Sequence, residues 1–117
     1  MTLVKAGGRG SPTAEFFDEL KRKGREPLLK GESGTLRFDL LDGERVEHWS
    51  VVMASGDVTV SRRRGPADAV VRLRKETFDG MVSGRVNAMA ATLRGEIVPE
   101  GDLGLVMLFQ RLFPGPP

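Results

Sequence analysis

From Thr35 to Leu41 the chain alternates: Leu36, Phe38 and Leu40 fall on one side of an extended backbone, and Thr35, Arg37 and Asp39 on the other. Successive side chains of a strand point to opposite faces of its sheet, so this pattern fixes one apolar and one polar face. The same period returns in Trp49, Val51 and Met53, in Val58 and Val60, and in Ala69, Val71 and Leu73. With Arg37, Asp39, Arg72 and Arg74 on the polar side, that face is left to water. Every helix must then cover the other face, which gives a two-layer α+β domain.

Turn and cap signals divide the rest. Asp42-Gly43 and Ser55-Gly56-Asp57 predict tight reversals between strands, and Arg62-Arg63-Arg64-Gly65-Pro66 predicts a longer connection. Glu96 to Pro99 reads as a short edge strand, because Pro99 cannot donate to a central ladder. Ser11 suits a helix N-cap, Pro12 the first helical position and Gly24 the stop, with Phe16, Phe17 and Leu20 as the apolar stripe between them. Two short helices follow the fourth strand. Phe78, Met81 and Val82 share a face in one, and Val86, Met89, Ala90 and Leu93 in the other, with Gly84 between and Gly95 after. The last helix spans Leu103 to Phe113 and stops ahead of Pro114. Residues 1–10 read as a flexible tail and 11–114 as one domain.

Composition narrows the function classes. A chain of 117 residues with no cysteine and one histidine, His48, is expected to hold neither a disulfide nor a metal, and no cofactor is expected. Eighteen Lys and Arg against sixteen Asp and Glu leave a net charge of only +2. The isoelectric point of 9.4 reflects a flat titration curve without Tyr or Cys, so no nucleic-acid partner is expected. The start has no apolar core of a signal peptide, and the most apolar stretch, Leu103 to Phe109, falls far short of the roughly 20 residues of a membrane helix. These features point to a cytoplasmic location. Arg62, Arg63 and Arg64 are either a solvated connection or a patch for transient contact with an anionic membrane surface, each cation contributing about 1 kcal/mol there. Gly7-Gly8-Arg9-Gly10 follows no strand and lacks the ending of a phosphate loop. His48 has no nucleophile in a recognisable context, so no enzyme is expected.

The final helix breaks the amphipathic rule. Leu105, Leu108, Phe109 and Leu112 form one stripe, enough to dock on a sheet. Leu103, Val106, Met107 and Gln110 occupy the opposite side, where a small protein should carry charge. A two-layer domain has no third layer to cover them. A ligand cavity, a partner protein or a membrane surface remains. Met81, Met89 and Met107 suit a wall that adapts to apolar guests, and Gln110 can donate to and accept from a polar headgroup.

The order of features resembles a known family. Trp49-Ser50-Val51-Val52 leads into the Ser55-Gly56 turn, and Ala67-Asp68-Ala69-Val70-Val71 opens a strand. Phe78 to Ala88, then Leu93-Arg94-Gly95-Glu96-Ile97, then Gly101-Asp102-Leu103-Gly104-Leu105-Val106 follow in the family's order and spacing. Phe16 to Phe113 thus looks like a sterol carrier protein type two domain. The resemblance implies a five-stranded mixed sheet with helices over one face and a hydrophobic tunnel between the layers. It implies non-enzymatic carriage of a sterol, fatty acid or acyl-CoA, and Gln110 falls where family members carry a glutamine. Two features depart from the family: the terminal peroxisomal address is absent, and Gly95-Glu96 replaces Gly-Lys. They point to a bacterial carrier whose ligand need not be a sterol. Trp49, Phe78, Met81, Val82, Met89, Leu93, Leu103, Val106, Met107 and Gln110 are the expected lining. The alternative is an accessory or dimerisation module docking on a lipid-metabolising enzyme through the last helix, so a monomer and a weak homodimer both stay open.

Overall fold

A computed structural model describes residues 11–113. The tail expected over 1–10 lies outside the described residues, as does Pro114. Five strands form one mixed sheet in the order β3-β2-β1-β4-β5: β1 Ser33–Asp42, β2 Arg45–Ala54, β3 Asp57–Ser61, β4 Ala69–Arg74 and β5 Ile97–Gly101. All neighbours are antiparallel except β1 and β4. The β2–β3 reversal uses Ser55 and Gly56, both at positive φ (54° and 94°), a turn whose twist matches that of the strands it joins.

Four helices cover one face. α1 (Pro12–Lys23) begins on the Ser11 hydroxyl, which accepts from the Ala14 amide, and ends at Gly24 in the left-handed region. It lies over the β2–β3 half, with α2 (Lys75–Val82) over β1 and β4. α3 (Ala88–Leu93) and α4 (Leu103–Phe109) cover the β4–β5 half. Thr13, fully buried, donates through its amide and hydroxyl to the Asp79 carboxylate at 3.0 and 2.5 Å, tying α1 to α2. Gly80 lets the chain fold back between α2 and α3, since a Cβ there would collide with Val86.

The last helix is shorter than its pattern predicts. The α-helix ends at Phe109 and a 3-10 turn takes Gln110–Leu112, after which Phe113 is extended (φ −105°, ψ 153°), as the following proline requires.

The open sheet face is less wet than its charges suggest. The crossover from β3 to β4 runs back over β2 and β1 as a strap: Ser50 Oγ donates to the Arg63 carbonyl at 2.6 Å and Arg37 donates to that of Gly65 at 2.8 Å. Under it Asp39 is only 5% exposed. Its carboxylate accepts from Arg37 Nε (2.9 Å) and lies 2.7 Å from His48 Nδ1. Burial pushes the Asp39 pKa up, but the hydrogen bonds and charges of Arg37 and His48 outweigh it and hold the carboxyl below its ordinary value. His48, for which the sequence offers no nucleophile, packs against this buried carboxylate. Arg62, first of the arginine run, sits 4.3 Å from the Trp49 ring centroid in a cation–π contact.

Candidate functional site

The space between the layers is filled in two different ways. Beneath α1 and α2 it is solid with rings. Phe17 stacks on Trp49 at 4.6 Å between centroids and on Phe78 at 5.3 Å, and Phe38 packs edge-on to Phe78 at 5.5 Å. Each such pair contributes about 0.5–1.5 kcal/mol beyond its area. Beneath α3 and α4 the packing stops short. A cavity of about 210 Å³ lies there, and Ala88 on α3 brings only a methyl group to its wall.

Its floor is Leu36 and Phe38 of β1, Val71 of β4, and Ile97 and Pro99 of β5. Its walls are Met81 of α2, Ala88, Met89 and Thr92 of α3, Leu103, Val106, Met107 and Phe109 of α4, and Gln110 and Phe113 beyond it. Thr92 and Gln110 are the only polar side chains of this lining. The Thr92 hydroxyl donates to the Ala88 carbonyl at 2.8 Å, so only its acceptor capacity is left. The Gln110 amide, half-buried, can both donate and accept. Met89 (55% exposed), Leu103 and Met107 (63%) mark where the cavity opens to solvent. At about 210 Å³ the hollow is smaller than the roughly 300–1,000 Å³ of pockets that enclose a drug-sized ligand, so a long guest must extend through this mouth.

Of the residues expected at the lining, the structure brings Met81, Met89, Leu103, Val106, Met107 and Gln110 together around the cavity. Four lie elsewhere. Trp49 and Phe78 belong to the ring stack, which fills its half of the interlayer space. Val82 packs half-buried against the core away from the cavity. Leu93 is 81% exposed. The reason is rotation: Asn87 caps α3 by accepting from the Ala90 amide at 2.9 Å, and the helix then turns Ala88 and Ala91 inward. At about 100° per residue this sends Leu93 outward. The expected face of Val86, Met89, Ala90 and Leu93 is therefore not the buried one.

The strand residues Leu36, Phe38, Val71, Ile97 and Pro99 were not among the expected lining residues, although their alternation placed the first three on the covered face. Ala88 and Thr92 carry no hydrophobic signal that could mark them. Phe109 belongs to the docking side of the last helix and Phe113 follows its end, yet both also border the hollow. Among the described residues no group of three potential metal ligands comes together.

Residues 15–114 match the SCP-2 sterol transfer family. The chain is 26% identical over 104 residues to hydroxysteroid dehydrogenase-like protein 2 of Xenopus laevis, covering 87% of this chain but only 25% of that protein. It thus spans about a quarter of that relative's length. Its fold matches the sterol carrier protein domain 2 of Helicoverpa armigera with a TM-score of 0.70, at 20% identity, over 91% of this chain and 88% of the other. It also matches sterol carrier protein 2 of Aedes aegypti, solved in complex with palmitate, with a TM-score of 0.67 at 17% identity, over 86% and 93% of the two chains. With its five-stranded mixed sheet, its helices on one face and this match along nearly the whole described region, the chain belongs to the SCP-2 sterol transfer family.

Proposed function

We propose that this protein is a lipid carrier, holding the apolar part of one fatty-acid-like or sterol-like guest in the interlayer cavity without catalytic turnover. The observation that carries the reading is the cavity itself, a hollow with two polar side chains in an otherwise apolar wall, open through Met89, Leu103 and Met107. A palmitate-bound relative of the same fold supports it. Affinity comes from burying guest surface at about 25 cal/mol per Å², so selectivity follows shape more than headgroup. The lining offers no acid, base and nucleophile in mutual reach, only a threonine hydroxyl and a glutamine amide. The apolar mouth residues suit brief contact with a membrane surface during loading.

Titration with a fluorescent fatty acid, displaced by palmitate, an acyl ester or a sterol, tests the reading. Saturable uptake is expected for the wild type. Met107→Asp places a carboxylate at the mouth, on a side chain exposed enough to leave the fold intact, and weakens uptake. Absence of saturable uptake across all three lipid classes defeats the proposal.

The exposure of Leu103 and Met107 favours a second reading, an accessory module whose α4 docks on another chain. Sedimentation separates the two. A monomer with bound lipid supports the carrier, and a concentration-dependent dimer that buries Leu103 supports the module.

A further inference from the structure

Three thioethers share the cavity wall: Met81 on α2, Met89 on α3 and Met107 on α4. We propose that they accept oxygen from a hydroperoxide group carried on an apolar guest, Met81 inside the cavity and Met89 and Met107 at its mouth. The inference rests on the lipid-carrier reading above, and adds to it a class of guest and a covalent outcome.

The chemistry is a two-electron oxygen transfer. The thioether lone pair attacks the terminal oxygen of R–O–OH, the S–O bond forms as the O–O bond breaks, and the hydroxyl proton passes to the departing alkoxide. Sulfur is oxidised to the sulfoxide and the hydroperoxide is reduced to the alcohol R–OH. No further reductant enters. Gln110 shares the wall, and its amide N–H can donate a hydrogen bond to the departing oxygen. Each sulfoxide introduces a polar group into an apolar wall, so oxidation at the two mouth residues lowers affinity for the next guest by about tenfold. The transfer is stoichiometric on this chain: one alcohol for each sulfoxide.

The oxygen could also come from hydrogen peroxide in the surrounding water, and comparing Met81 with Met53 under the two oxidants distinguishes the sources. Met89 and Met107 are open to solvent and react with either. Met81 is 6% exposed and lines the cavity, whereas Met53 is 1% exposed and lies outside it. Hydrogen peroxide enters the open cavity and reaches Met81 too, but no apolar tail concentrates it there. A guest-borne hydroperoxide is held beside Met81 and kept from Met53, so the ratio of the two rates rises with it.

The full chain is incubated with equimolar fatty-acid hydroperoxide or hydrogen peroxide, and oxygen gain at each methionine is followed by peptide mass spectrometry. Palmitate binding is measured on the same sample. The Met81-to-Met53 ratio of oxygen gain should be about tenfold higher with the fatty-acid hydroperoxide than with hydrogen peroxide, because only the former is held in the cavity. Excess palmitate should suppress the gain, and the alcohol formed should equal the sulfoxide. Met81→Leu should lose the palmitate-sensitive product of that position, measured against its own untreated baseline. The same Met81-to-Met53 ratio with both oxidants, or a Met81 rate that palmitate does not change, overturns the inference. If palmitate binds in that same sample the carrier reading stands alone, and if palmitate does not bind both fall.

Discussion

Ala88 sits at the start of α3 with its methyl group on the cavity, and Ala88→Leu fills part of the hollow from the protein's own side. Three added carbons at about 0.8 kcal/mol per buried carbon contribute about 2.4 kcal/mol. Ordering the new side chain costs about 0.5–1 kcal/mol. The net gain is about 1.5 kcal/mol, a rise of about 5 °C in melting temperature for a domain of this size. Leucine is nearly as good a helix former as alanine, and the Asn87 cap is untouched, so α3 itself is not weakened. The space is at the same time denied to the guest. Losing the burial of about three of its carbons weakens binding by about 2.4 kcal/mol, or roughly 50-fold. Thermal unfolding followed by circular dichroism, paired with fatty-acid displacement, reads both effects. A lower melting temperature would mean that no room exists beside Ala88, and unchanged affinity would mean that the guest sits elsewhere.

Other substitutions separate the solid half of the interior from the hollow half. Phe17→Ala removes the ring between Trp49 and Phe78 and should cost about 3–5 kcal/mol in urea denaturation. Trp49→Phe should leave fatty-acid affinity within about twofold, checked by displacement, because burial of the guest does not involve the indole. Asp39→Asn keeps the shape but removes the charge that holds Arg37 and His48, at a cost of about 2 kcal/mol near neutral pH. The folded-state pKa of Asp39 is depressed, so its contribution is present above the ordinary aspartate value of about 4 and lost as pH falls through the lower folded value. Denaturation of the two proteins should therefore converge in acid and not in base.

The sheet was legible because its signal is local. Leu36, Phe38 and Leu40, or Ala69, Val71 and Leu73, carry their own period, and the Ser55-Gly56 reversal carries its own backbone requirement. The doubly apolar last helix pointed to a hollow, and α4 does border one. What could not be read was which apolar residues fill space and which surround it. Trp49 and Phe78 have the same hydrophobic signature as Met81 and Val106, but flat rings stack without gaps and unbranched or short side chains do not. In α3 the large residues misled, because a six-residue helix turns its alanines to the core and leaves Leu93 outside. Asp39 alternates like any surface residue, and it is covered by Arg37, His48 and Arg72 gathered around it, with Arg37 held in turn by the strap at Gly65.

The seat of the guest is tested most directly by nuclear Overhauser contacts between fatty-acid chain protons and isotope-labelled methionine methyl groups. Contacts to Met81, Met89 and Met107 with none to Met53 are the predicted result. Contacts to Met53, or none to Met81, would contradict the account.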